Sequence, residues 1–128
     1  MHELALAQSI IEVVESKAEE CGLRRVRTVH LRVGEASGVL AEALQGAFAM
    51  LASLSPVLEQ AQLVIEVTPH RAWCEPCARA FAVVDFLARC PVCGAWSTRI
   101  LSGTELQILD MEVEADDQQG SQERERNE

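Results

Sequence analysis

Cys74 and Cys77 form one Cys-x2-Cys pair and Cys90 and Cys93 a second, with twelve residues between the pairs. That interval lets the chain leave one tight turn, run through a hairpin and return with the other, so that four thiolates converge on one point. Zinc suits such a set: it takes tetrahedral sulfur ligands, and its binding supplies folding free energy that a short segment cannot obtain by burial. Residues 70–99 hold four of the five cysteines, both tryptophans and two of the four prolines, and their apolar pattern is too brief to build a separate core. A pair of redox Cys-x-x-Cys motifs would instead need a helix whose N-terminus activates the first thiol. WCEPCARAF has no clear helix signal after it, and that reading leaves the doubling unexplained. A closed four-cysteine site has no open coordination position, so it accounts for how the segment folds and not for what the protein does. Within the segment, His70 is an alternative fourth ligand, and Trp73 and Trp96 are expected to wall the site from water.

The remaining chain reads as an α+β framework. Leu4, Ala7, Ile11, Val14 and Ala18 recur at helical spacing over residues 3–20, and Gly22 supplies the stop. VRTVHLRVG alternates Val29, Leu31 and Val33 with Thr28, His30 and Arg32, the period of a half-buried strand with His30 on the solvated phase. Leu40, Leu44, Phe48 and Leu51 mark a second helix over residues 38–52, with Ser37 as N-cap, and Leu63, Ile65 and Val67 share one face of a second strand. Strand, helix, strand in succession favours a parallel pair. In ELQILDMEVE, Leu106 and Ile108 lie on one phase and Leu109, Met111 and Val113 on the other, a last strand expected to rejoin the first sheet. The cysteine segment is then an insertion between two strands of one layer. After Ala115 the tail ADDQQGSQERERNE has no apolar residue and reads as disordered.

At 128 residues the chain accommodates one core with a small appendage. A formal net charge of −9 counts against nucleic-acid binding, which needs clustered Lys and Arg to displace counterions. No apolar run approaches the roughly 18 residues of a membrane span, nor does the start resemble a secretory signal, so a cytoplasmic location with reduced thiols is expected. The odd cysteine, Cys21, reads as a small buried hydrophobe at a helix end. Ser/His/Asp groupings, phosphate-binding glycine loops and paired acid–base residues do not stand out, so an independent enzyme is not expected.

Met1, His2 and Glu3 carry a second kind of chemistry. By itself His2 reads as a solvated terminal histidine and Glu3 as a favourable charge at a helix start. The first amides of a helix, however, lack an intrahelical acceptor, and those of His2 and Glu3 lie near the terminal amine and the His2 imidazole. Four nitrogens sharing a plane suit Ni(II) or Cu(II), whereas zinc prefers tetrahedral thiolates.

The segments MHEL, VGEASGV, SPVLEQAQLVIEV, RAWCEPC, CPVCG and SGTELQILDMEVE, in that order, resemble the HypA/HybF family of nickel metallochaperones used in maturing nickel-iron hydrogenase. The likeness spans residues 1–114. It implies a nickel-binding domain, residues 1–69 and 100–114, of two helices on a three-stranded mixed sheet, with a zinc-ribbon-like domain, residues 70–99, inserted before the last strand. It further implies that Met1 (through its amine), His2 and Glu3 bind the transported nickel, that Cys74, Cys77, Cys90 and Cys93 hold structural zinc, and that the partners are a HypB-type nickel GTPase and the hydrogenase large-subunit precursor. Relatives often carry glycine straight after the first cysteine pair, where this chain has Ala78. The alternative is a zinc-ribbon adaptor without nickel transfer, for which the acidic balance is a poor match if the partner is nucleic acid.

Overall fold

Residues 3–114 are described by a computed structural model; the expectations for Met1, His2 and the tail from residue 115 onward fall outside the described residues. The first helix, α1 (Glu3–Cys21), buries Ala7, Ile10, Ile11, Val14 and Ala18, a stripe at helical spacing that faces the second helix, α2 (Ala41–Ala52). Leu4 is not part of the stripe; it is half exposed and Ile10 takes its place. Gly22, at φ +70°, ends α1 in the left-handed conformation that glycine adopts without a Cβ clash.

The sequence pattern places the start of α2 too early. Ser37 donates its backbone N–H to Gly34 at 3.0 Å within the turn after the first strand, Gly38 reverses the chain at φ +84°, and Leu40 becomes the N-cap, with no cap hydrogen bond from its own side chain. The Glu3 carboxylate accepts the Leu40 N–H at 3.1 Å instead, so an acid in the first turn of α1 satisfies a donor at the start of α2. Leu40 consequently lies outside the core, which takes Leu44, Phe48 and Ala52 from this helix.

Three strands, β1 (Val26–Gly34), β2 (Gln62–Thr68) and β6 (Leu106–Val113), form a sheet in the order β2-β1-β6. Glu35 N–H reaches Thr68 O at 2.8 Å just beyond the C-terminal ends of β1 and β2, which therefore run parallel. Glu114 N–H reaches Arg25 O at 3.1 Å, and Gly34 N–H reaches Glu105 O at 2.7 Å, so β6 runs antiparallel to β1 and the sheet is mixed. As the central strand, β1 buries Val26, Val29, Leu31 and Val33. The edges follow their patterns less well: of Leu63, Ile65 and Val67 only Leu63 is buried, and β6 buries only Met111. Leu106, Ile108 and Leu109 are 37–38% exposed, so the two apolar phases of β6 correspond to an edge strand that is partly wet on both faces. His30 is not simply solvated: its Nδ1 lies 3.5 Å from Asp110 and its Nε2 3.3 Å from Glu112, both on β6.

A second three-stranded sheet, in the order β4-β3-β5, is built from β3 (Arg71–Cys74), β4 (Arg79–Ala82) and β5 (Ile100–Ser102), with β3 antiparallel to both neighbours. The chain divides into two compact units. The first comprises the described residues up to Leu31, Val39–Ile65 and those from Ile108; the second comprises Arg32–Gly38 and Glu66–Gln107. In the second unit Gly34 and Gly103 pass back to back, since a Cβ on Gly34 would fall 2.1 Å from the Gly103 carbonyl carbon. Replacing Phe48, which is 1% exposed, by Ala is expected to cost about 3–5 kcal/mol in urea unfolding, whereas Leu54→Ala at an 80% exposed position should change stability by less than about 0.5 kcal/mol.

Candidate metal centre

Each cysteine pair lies on a tight turn made by its own backbone. Cys74 ends β3, and the chain turns through Glu75–Pro76–Cys77, with Ala78 N–H donating to Glu75 O at 3.2 Å, before β4 returns along β3 in the register Cys74↔Arg79 and Ala72↔Phe81. No helix follows the first pair, which removes the geometry a redox Cys-x-x-Cys requires. The second turn runs from Cys90 to Cys93 and is closed by Gly94 N–H to Cys90 O and Cys90 N–H to Ala95 O, both at 2.9 Å. Val92 N–H points at the Cys90 sulfur, 3.4 Å away. Gly94 follows its pair at φ +78°, and Ala78 follows the other at φ +52°. The two turns thus require the same left-handed residue, and in the first an alanine adopts it with a Cβ cost.

The ligand atoms of Cys74, Cys77, Cys90 and Cys93 all lie within 4.8 Å of one another, and no other group of this kind occurs among the described residues. Cys74 Sγ is 3.5 Å from Cys93 Sγ, and Cys90 Sγ is 4.0 Å from Cys77 Sγ. Four sulfurs at the zinc–thiolate distance of about 2.3 Å would stand about 3.8 Å apart, a spacing that the two closest pairs bracket and that the whole set reaches with small side-chain shifts. Cys74 and Cys90 are buried with Ala72, Phe81 and Val83; Cys77 is half-buried and Cys93 is exposed. This core, with one aromatic ring among small side chains, is the small one that the sequence led us to expect.

The sulfurs sit in unequal surroundings. Cys90 is drawn down to about 6, first by the Cys93 backbone amide and then by that of Val92, against the opposing effect of burial. Cys77 is pushed up to about 12 by its hydrogen bond with Cys93 and by burial. For Cys74 the Cys77 backbone amide acts downward, but burial and the Cys93 and Cys90 thiols carry it above the ordinary value. Near neutrality Cys90 is therefore a thiolate while Cys74 and Cys77 hold their protons, which a metal must displace.

Two neighbours differ from expectation. His70 is outside the quartet: it is buried, its backbone N–H donates to Glu35 Oε1 at 2.9 Å, and its ring stands edge-on to Phe86 at 6.0 Å. Trp96, 64% exposed, does not wall the site; Arg89 lies over its ring at 5.6 Å, as Arg99 lies over Trp73 at 5.7 Å. Spacing alone did not reveal Arg89, whose Nε donates to Gly94 O at 3.1 Å and braces the second turn; the glycine after the pair was the available signal. Cys21 is half-buried. Of the terminal trio only Glu3 is described, with its carboxylate held by Leu40. A cleft of about 770 Å³ between α1 and β6 is lined by residues such as Val13, Lys17, Leu109 and Met111 and, among the described residues, brings together no ligand set.

A mixed α+β framework with a second sheet that carries four clustered thiols defines a small protein with a candidate metal-binding module. Residues 1–113 match the family described as "Hydrogenase/urease nickel incorporation, metallochaperone, hypA", and the chain belongs to that family. It is 40% identical over 114 residues to the hydrogenase maturation factor HypA of Geobacter metallireducens, covering 89% of this chain and 100% of that one. To the factor of the same name from Roseiflexus sp. strain RS-1 it is 43% identical over 117 residues, covering 91% and 94%. The solution structure of the Ni metallochaperone HypA from Helicobacter pylori superposes with a TM-score of 0.63 over 91% of this chain and 100% of that one; at 24% identity this is a likeness of fold. The family is one of maturation factors and not of enzymes.

Two outcomes test the centre. Zinc affinity is expected to rise with pH by at least two decades per unit above about 6, because the Cys74 and Cys77 protons must leave, and to fall more steeply below it as Cys90 also protonates; chelator competition across that range measures the slope. Ala78→Gly, which relieves φ +52° but loosens the unfolded chain, should strengthen zinc binding by about 0.5–1 kcal/mol in the same assay.

Proposed function

We propose that this chain is a nickel carrier: it binds Ni(II) through the Met1 amine, His2 and Glu3 and delivers it in the cytoplasm, with a HypB-type GTPase, to a nickel-iron hydrogenase large-subunit precursor. The observation that carries this reading is the family match, whose description is nickel incorporation and whose span of residues 1–113 contains the Met-His-Glu start. The relatives' names as hydrogenase maturation factors support the recipient. In this reading zinc resides at Cys74, Cys77, Cys90 and Cys93 and has a structural role, since four thiolates leave it no position for exchange.

The division follows from ligand chemistry. Ni(II) favours planar nitrogen sets, and the thiolate tetrahedron favours zinc, so the two ions are sorted by donor type and geometry. The Glu3 carboxylate accepts the Leu40 N–H through Oε2, and in this reading Glu3 donates to nickel through its backbone nitrogen. Metal binding at backbone nitrogen displaces protons, so acid favours release. A carrier needs accessible ligands that a partner can replace, which a chain terminus offers and a closed thiolate set does not.

The test is a Ni(II) titration of tag-free protein followed by absorbance, with zinc content measured in parallel. His2→Ala, or a short extension before Met1, should reduce nickel binding to the level of buffer while one zinc per chain is retained. Undiminished nickel stoichiometry in both variants would refute the terminal site.

A further inference from the structure

The four sulfurs are equivalent as ligands and unequal as surfaces. Cys74 and Cys90 are buried and Cys77 is half-buried, while Cys93 alone is exposed. Beside it opens a cleft of about 630 Å³ whose lining includes Cys93, Cys90, Arg89, Val92 and Gly94. A small polar reagent can therefore approach one ligand without unfolding the module, along a wall that carries a guanidinium. Cys74 Sγ lies 3.5 Å from Cys93 Sγ, a contact made across the two turns and not within one.

We propose that Cys93 is a modification site at which a hydroperoxide opens the zinc centre, with Cys74 as the resolving thiol. This rests on the reading that the quartet holds zinc and is independent of the nickel assignment. The Cys93 thiolate attacks one peroxide oxygen; a sulfur–oxygen bond forms, the oxygen–oxygen bond breaks, and hydroxide leaves, giving a sulfenic acid. The Cys74 thiolate then attacks the Cys93 sulfur, forming the disulfide and expelling a second hydroxide. Two thiolates have been oxidised by two electrons and one hydrogen peroxide reduced to two hydroxides. Cys77 and Cys90 remain, and two ligands in place of four do not retain the ion. Because the new bond joins the two turns, the oxidised module keeps a covalent link where the metal had been, and a dithiol reductant with zinc restores it.

The experiment uses the full chain carrying Cys21→Ser, so that the quartet holds the only thiols, loaded to one zinc per chain as measured before oxidation. Substoichiometric hydrogen peroxide is added with dimedone to trap sulfenic acid, and a second series without dimedone is followed by peptide mass spectrometry and a chromophoric zinc chelator. Dimedone is expected on Cys93, the disulfide between Cys74 and Cys93, and zinc release in step with the disulfide. Cys93→His, which keeps a zinc ligand and removes the reactive sulfur, should slow peroxide-driven zinc release at least tenfold. Dimedone first on another cysteine, a disulfide confined to Cys77 and Cys90, or release from Cys93→His at the unaltered rate overturns the proposal. A chain that holds no zinc before peroxide overturns the zinc reading itself and is recognised at that first measurement.

Discussion

The convergence of four sulfurs from two backbone turns is what the smaller unit depends on. Ala72, Phe81 and Val83, with the cysteines, are all the buried apolar material around β3 and β4, and three short strands cannot offset their chain entropy with so little. The turns bring Cys74, Cys77, Cys90 and Cys93 within 4.8 Å, and burial together with mutual contact makes two of the thiols reluctant to ionise. Without a cation two of the ligands stay protonated and the turns are joined only by weak sulfur contacts, whereas a divalent ion that displaces those protons crosslinks both turns at once.

The first unit is organised by burial. Its core is the stripe of Ala7, Ile10, Ile11, Val14 and Ala18 on α1 against Leu44 and Phe48 on α2, with Val26, Val29 and Leu31 of the central strand. Small residues on α1 allow the helices to approach closely, which suits a chain whose aromatics are only 4% of its residues. Polar contacts then fix positions that burial leaves open. Glu3 takes the orphan amide of Leu40, and Asp110 and Glu112 flank His30, tying the edge strand β6 to β1 by side chains where its own apolar faces are half exposed.

Strong periodicity was legible and punctuation was less so. The helix from Glu3, the central strand and the quartet follow from spacing because each repeats one requirement several times: an apolar residue every turn, every second residue, or a thiol at each end of a tight turn. The start of α2 was misplaced because Ser37 satisfies the usual N-cap pattern while Gly38 bends the chain away, and the donor was met by Glu3, 37 residues earlier. Edge strands β2 and β6 carry apolar residues that their position leaves uncovered, so Val67 looked like core and is 56% exposed, while Leu40 looked like core from its helical spacing and, as the N-cap of α2, is 67% exposed. Trp96 likewise reads as a wall from its place beside a cysteine pair, but stacking under Arg89 offers the ring a partner at the surface.

Ala78 shows how the metal turns tolerate a local cost. A left-handed alanine is disfavoured by about 1–2 kcal/mol, and glycine at that position, as at Gly94, would remove the penalty. The turn persists because β4 must begin at Arg79 in register with Cys74, and a shift of one residue would carry Phe81 from the buried face to solvent. The conformation of residue 78 is thus imposed from both sides, by the sulfur of Cys77 and by the pairing of β4. Backbone strain at one residue is a smaller loss than either a misplaced ligand or an exposed Phe81, and the order of these magnitudes explains why alanine can stand there.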